Sequence, residues 1–227
     1  MKKTIGLIVL LLFTLVTLSG CAQVNYEVEI NKNGTGTISC SYEISKKDLG
    51  EKAALVQGVA ESMKGKVEEN GYIVELYEDD DVKGFKGSKK LNDITKDFSL
   101  EEVFEVFENF GKKYVEDTEE NGIKIEKTLF KTKYSQKAVV DLTDIGTEID
   151  MEYSMKLPAK SKTNNATKVS EDGKTLTWEI KVGETNTIEF VSEQINLLPI
   201  IVIGIVVIAI VAIIVIIILK KKHTTNK

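Results

Sequence analysis

Arginine is absent from this 227-residue chain, and histidine occurs once, at His223. All 30 basic residues are therefore lysines, and no guanidinium fork can clamp phosphate or carboxylate in two-pronged fashion. Everything before His223 lacks an imidazole, which excludes a Ser-His-Asp triad, a His general base and a His-containing zinc site there. Cysteine occurs only at Cys21 and Cys40, and proline only at Pro158 and Pro199. Setting aside the six lysines near the two termini leaves 24 lysines against 35 acids between residues 22 and 196, a net of −11. That balance argues against a nucleic-acid partner. No Ser-Lys or paired-carboxylate constellation stands out, and Glu78 to Asp81 reads as a solvated acidic turn rather than a calcium loop. The expectation is a non-catalytic protein with no catalytic residues, no metal site and no cofactor.

What is present lies first at the two ends. Met1-Lys2-Lys3 is followed by an apolar run, Ile5 to Val16, and then by Leu18-Ser19-Gly20-Cys21. This layout resembles a bacterial lipoprotein signal peptide over residues 1–20. The resemblance implies cleavage before Cys21, acylation of its sulfur and Cys21 as the mature N-terminus, with palmitate as the expected kind of acyl chain. At the other end, Leu197 to Leu219 is 23 residues without a charge. As a helix it spans about 34 Å, enough to cross a bilayer with some tilt. Lys220-Lys221-Lys222-His223 follows at once, so residues 220–227 are expected in the cytoplasm and residues 21–196 outside. The localisation read from both ends is the cell membrane, lipid-anchored and single-pass.

Between the anchors the pattern is α+β: antiparallel hairpins with two amphipathic helices and a β-rich C-terminal part. Val24, Tyr26, Val28 and Ile30 alternate with polar residues, a Gly-rich turn follows, and a second strand returns through Ile44. Ser45 opens a helix whose apolar stripe runs from Leu49 to Val67, and Asn70-Gly71 caps its end. Tyr72 to Tyr77 reads as a strand. Ser99 to Phe110 reads as the second helix, with Ser99 and Glu102 at capping-box spacing. Lys113 to Glu116 and Ile123 to Tyr134 read as strands joined by an Asn121-Gly122 turn, and Glu148 to Leu157 alternates cleanly. Lys160 to Thr167 reads as polar loop, Leu176 to Val182 as a strand and Thr187 to Val191 as the last one. The helix-free stretch from about residue 147 is a candidate separate β-lobe. Asn33-Gly-Thr and Asn165-Ala-Thr match the glycosylation sequon, which a bacterial lipoprotein would ordinarily not use.

Three features invite a functional reading. Val82 to Lys96 carries five lysines and two glycines around Phe85 in an otherwise acidic region. An edge strand or solvated loop explains it; alternatively Lys83, Lys86, Lys89 and Lys90 contact lipid headgroups. Phe104, Phe107 and Phe110 recur at helical spacing, as core or as the lining of a lipid-sized cavity. Cys40 shares a strand face with Ile38, Tyr42 and Ile44 and is expected to be a buried structural thiol.

The layout resembles LppM-type bacterial envelope lipoproteins. The residues that carry the likeness are Leu18 to Cys21, the strand and turn Val24 to Gly36, Leu157-Pro158, Asn164-Asn165, Asp172-Gly173, Leu176-Thr177-Trp178 and the final span. The resemblance implies an α+β envelope domain with a lipid-binding role. Both ends of the domain lie within about three residues of an anchor, or about 10 Å of extended chain, so its partner is expected in or on the membrane. An envelope lipid or glycolipid is the first expectation; a membrane-protein partner of a structural or assembly lipoprotein is the alternative.

Overall fold

The computed structural model describes residues 22–46, 61, 64, 65, 67–104, 114, 115, 121–144 and 150–225. The signal segment, Cys21 and most of the first expected helix lie outside the described residues. The fold is α+β, with two sheets, short helices and one long apolar C-terminal helix. Strand β1 (Ala22–Ile30) and β2 (Gly36–Ser45) form the expected hairpin, with Val28 opposite Ile38 and Tyr26 opposite Cys40. Every second residue of β2 is buried, as its alternation dictates. At the end of the first helix, the Tyr72 amide donates to the Val67 carbonyl at 3.2 Å and the Gly71 amide to Glu68 at 2.9 Å. Gly71 has φ of 84°, so the expected cap is a Schellman turn.

Strands β3 (Ile73–Glu78) and β4 (Val82–Leu91) follow. Contrary to expectation, the lysine-rich segment is not an edge strand: β4 lies between β3 and β2, and β3 is the edge. Its lysines are tolerated inside the sheet because Glu75 opposes Lys86 and Glu78 opposes Lys83 across the pair. Its Gly84 is there for close approach, since an added methyl would run into the Tyr42 carbonyl oxygen of β2. Phe85 stacks on Tyr42 with ring centroids 5.8 Å apart. The end of the same segment forms a short helix, α1 (Ile94–Asp97), whose first turn is capped by Asp93 accepting from the Thr95 amide at 3.1 Å. Helix α2 (Leu100–Phe104) then buries Leu100, Val103 and Phe104; the rest of the expected helix, to Phe110, lies outside the described residues.

The next stretch differs from its expected form. Ile123 to Tyr134 is not one strand. It is β5 (Lys124–Lys127) and β6 (Lys131–Asp141), joined by a turn at Leu129 and Phe130. Of the expected strand at Lys113 to Glu116 only Tyr114 and Val115 are among the described residues, and Val115 bridges to Val140. Then come β7 (Asp150–Lys156), β8 (Ser161–Asn164), β9 (Lys168–Val169), β10 (Thr175–Ile180), β11 (Thr185–Ile195) and the long helix α3 (Leu197–Thr225). β8 falls in the expected loop: its apolar content is nil, and pairing with β11 alone makes it a strand.

The sheets run β3-β4-β2-β1-β7-β10-β9 and β5-β6-β11-β8. β1 and β7 are parallel neighbours; the other pairs are antiparallel. The strands after residue 147 are thus dealt to both sheets, and a lobe boundary there would cut each of them. One contiguous core joins the inner faces, from Val28 and Tyr153 in the larger sheet to Tyr134 and Phe190 in the smaller.

Cys40 sits in that core, 6% exposed, and burial pushes its thiol up to about 11. It is expected to ignore an alkylating reagent at neutral pH in the folded protein and to react fully in denaturant. Rapid labelling of Cys40 in the native state would contradict this placement.

The ends of the domain are far apart. Ala22 stands beside Ile44, and its neighbour Gln23 pairs with Asp150. Ile195, beside Lys131, lies at the opposite end, where the Tyr134 hydroxyl reaches the Lys32 carbonyl of the β1–β2 turn at 3.3 Å. The nine residues of β1 separate the two ends by about 30 Å.

Candidate functional site

Among the described residues, one face of the seven-stranded sheet is buried and the other is half-buried to exposed. On the latter face, strand alternation presents polar side chains, and pairing register sets them in rows whose neighbouring members stand about 4.8 Å apart. One row runs Lys86, Ser41, Asn25, Glu152, Glu179; the next runs Ser88, Ser39, Glu27, Ser154, Thr177. Three serines at Ser39, Ser41 and Ser88 leave a shallow trough of about 330 Å³, walled by Asn25, Glu27, Glu75 and Lys86. The Asn25 amide donates to Ser41 Oγ at 3.2 Å, and the Ser154 and Thr177 hydroxyls meet at 2.8 Å. Ser39, Ser88 and Glu27 make no side-chain hydrogen bond or ion pair among the described residues. A broader depression of about 610 Å³ continues toward Gln23, Asp150 and Glu184. Glu152 and Glu179 would repel each other there, and Lys168 from β9 bridges them at 3.0 and 2.9 Å. Those contacts raise the Lys168 ammonium above its ordinary range, the Glu179 hydrogen bond first.

The four lysines singled out in the sequence do not converge. Lys86 and Lys90 lie on the open face, Lys83 and Lys89 on the other, because neighbouring strand residues alternate. Lys89 is committed to Glu102 of α2 at 3.1 Å and lies 5.6 Å from the Tyr72 ring centre. It therefore fixes α2 against β4. Burial, followed by the Glu102 charge, pushes the Tyr72 phenol up. Lys83 pairs with Glu78 at 3.6 Å, and that carboxyl is held low by Lys46 and then by Lys83. Lys86 covers the Tyr77 ring at 4.5 Å and lines the trough; Lys90 is exposed. Phe104 is fully buried in the core. Phe107, Phe110 and Cys21 lie outside the described residues.

Sequence reasoning passed over the trough because serine at alternate positions is the ordinary marking of a solvated strand face. The signal available was that Ser39, Ser41 and Ser88 fall on strands that pair, which only the register reveals. Asn165 was legible as part of a sequon and of the family likeness, but not its structural role. Its side-chain oxygen accepts from Trp178 Nε1 and from the Glu189 amide, each at 2.8 Å, and its amide donates to the Thr187 carbonyl at 2.9 Å. The second sequon is thus a bracket between the two sheets.

The described residues define a class: a mixed-sheet α+β domain joined to a helix long and apolar enough to cross a membrane, with Leu197–Ile216 as its apolar stretch. Among the described residues no group of His, Cys, Asp and Glu could hold a metal ion. No family model matches the chain. No curated protein matches it either. Among solved structures, it is similar to the NMR structure of the folded domain of Mycobacterium tuberculosis LppM, with a TM-score of 0.46 and 12% identity. The likeness covers 78% of this chain and 92% of that one.

Proposed function

We propose that this chain is a non-catalytic, membrane-anchored envelope lipoprotein whose open sheet face binds the polar headgroup of an envelope lipid, best a glycolipid. The observation that carries the reading is the trough. Hydroxyl, carboxamide, carboxylate and ammonium groups stand in register on a rigid sheet, and Ser39, Ser88 and Glu27 have no side-chain partner among the described residues. Such a surface suits the closely spaced hydroxyls of a sugar headgroup. The long apolar helix supports placement at the membrane, and the lysine cluster after it supports an outward-facing domain. With Cys21 acylated, both ends of β1 would be held at the surface, and the domain would lie along the membrane rather than stand on it. The trough is then within reach of headgroups without any long-range motion.

Three experiments check this. Protease added to intact protoplasts should digest residues 22–196 and spare a tag placed after Lys227. In Cys21→Ala the N-terminal acyl mass should vanish, while α3 keeps the protein in the membrane. A protected domain would contradict the topology. For the ligand, Ser39→Trp should fill the trough and reduce capture of native envelope lipids by the full chain at least tenfold, a cost of about 1.4 kcal/mol. Undiminished capture would mean that the trough is not the site.

A second reading has its own support. β3 is an unpaired edge, and Ile73 and Leu76 on it are 75% and 67% exposed. Such an edge suits strand addition by a membrane-protein partner. Loss of partner capture in Ile73→Lys, with lipid capture intact, would favour it.

A further inference from the structure

Turn tips are ordinarily polar, yet the β5–β6 turn presents Leu129 and Phe130, 61% and 48% exposed. The turn is firmly closed beneath them. The Thr128 amide and hydroxyl both donate to the Lys131 carbonyl, at 2.8 and 2.9 Å, and the Lys131 amide donates to Thr128 Oγ1 at 3.1 Å. Asn196, the residue before α3, then ties this turn to the start of the long apolar helix. Its amide donates to the Phe130 carbonyl at 2.8 Å, its side-chain amide to the Thr128 carbonyl at 3.2 Å, and its side-chain oxygen accepts from Thr132 Oγ1 at 3.4 Å.

We infer that the Leu129–Phe130 turn dips into the outer leaflet of the membrane that α3 crosses. Leu197 begins the apolar stretch and therefore marks the edge of the hydrocarbon. A turn bonded directly to Asn196 lies at that same level. Ile195, Leu197 and Leu198 are 62%, 64% and 75% exposed and extend its apolar surface. Lys127 and Lys131 flank the tip in sequence, and both are exposed, at the height of the lipid phosphates. The occupant of this patch is lipid. The inference uses the membrane span but neither the trough nor its ligand, so loss of headgroup binding leaves it standing. A chain that fractionates away from the membrane would instead remove the span itself.

Trp178, the single tryptophan, is 3% exposed inside the domain and supplies a constant baseline. Phe130→Trp in the full chain adds a reporter at the tip. The protein is reconstituted in vesicles of phosphatidylcholine and phosphatidylglycerol, with acyl chains brominated near their carbonyl end. The added emission should be quenched about twofold or more by bromolipid and protected from aqueous acrylamide. Quenching by acrylamide would place the tip in water and overturn the inference. Protection from both quenchers would mean that protein covers it, which overturns it equally. Leu129→Trp gives the same reading if the first variant fails to fold.

Discussion

Gly84→Ala is expected to destabilise the domain by about 3 kcal/mol or more, although it adds a single methyl group. Gly84 lies on β4 opposite Glu43 of β2, and a Cβ there would press on the Tyr42 carbonyl oxygen and stand 3.0 Å from its carbon and 3.2 Å from Glu43 Cα. All of these are backbone atoms in the middle of a sheet, so no side chain can swing aside. Relief requires β4 to move off β2. That would disturb the Phe85–Tyr42 stack and the register that brings Ser88 opposite Ser39 and Lys86 opposite Ser41. Gly122→Ala is the matched control, because a methyl there meets nothing within 4 Å. Urea unfolding followed by Trp178 emission should separate the two variants clearly. Equal midpoints would show that β2 and β4 are not packed this closely.

Asn165→Ala is expected to cost about 2–4 kcal/mol. Three hydrogen bonds are lost at once, and the indole N–H of Trp178 is left buried without an acceptor. Trp178 pairs across to Tyr153, with ring centroids 5.8 Å apart, so its displacement would reach the centre of the larger sheet. A Trp178 emission shift to the red, together with a lower urea midpoint, is the expected signature. Asn165→Asp should shift the emission less, because a carboxylate oxygen can still accept from the indole, although its second oxygen then faces the Thr187 carbonyl with no proton between them. If the two variants behave alike, the bond to the indole is not what holds the sheets.

Local alternation made the strongest strands legible. Val24 to Ile30, Thr37 to Ile44, Met151 to Met155 and Leu176 to Ile180 bury the faces their periodicity predicts. Gly71 was legible as a cap and Leu197 onward as an apolar helix. What local pattern could not carry is pairing. The lysines and glycines of β4 resemble an edge, yet opposing acids on β3 and a carbonyl packed against Gly84 make it an interior strand. β8 is polar throughout and exists through β11 alone. The β5–β6 turn was hidden because Leu129 and Phe130 read as strand residues; their exposure makes sense beside the first residues of α3. The candidate trough was illegible for the same reason, since Ser39, Ser41 and Ser88 become neighbours only once β2 and β4 are in register.

Native mass spectrometry of the full chain, extracted gently from its own membrane, decides whether the open sheet face holds a lipid headgroup. The expected result is a bound lipid with a polar, sugar-bearing headgroup in near-stoichiometric amount, retained by the wild type and lost from Ser39→Trp. Bare protein, or a protein partner with no lipid attached, would contradict it.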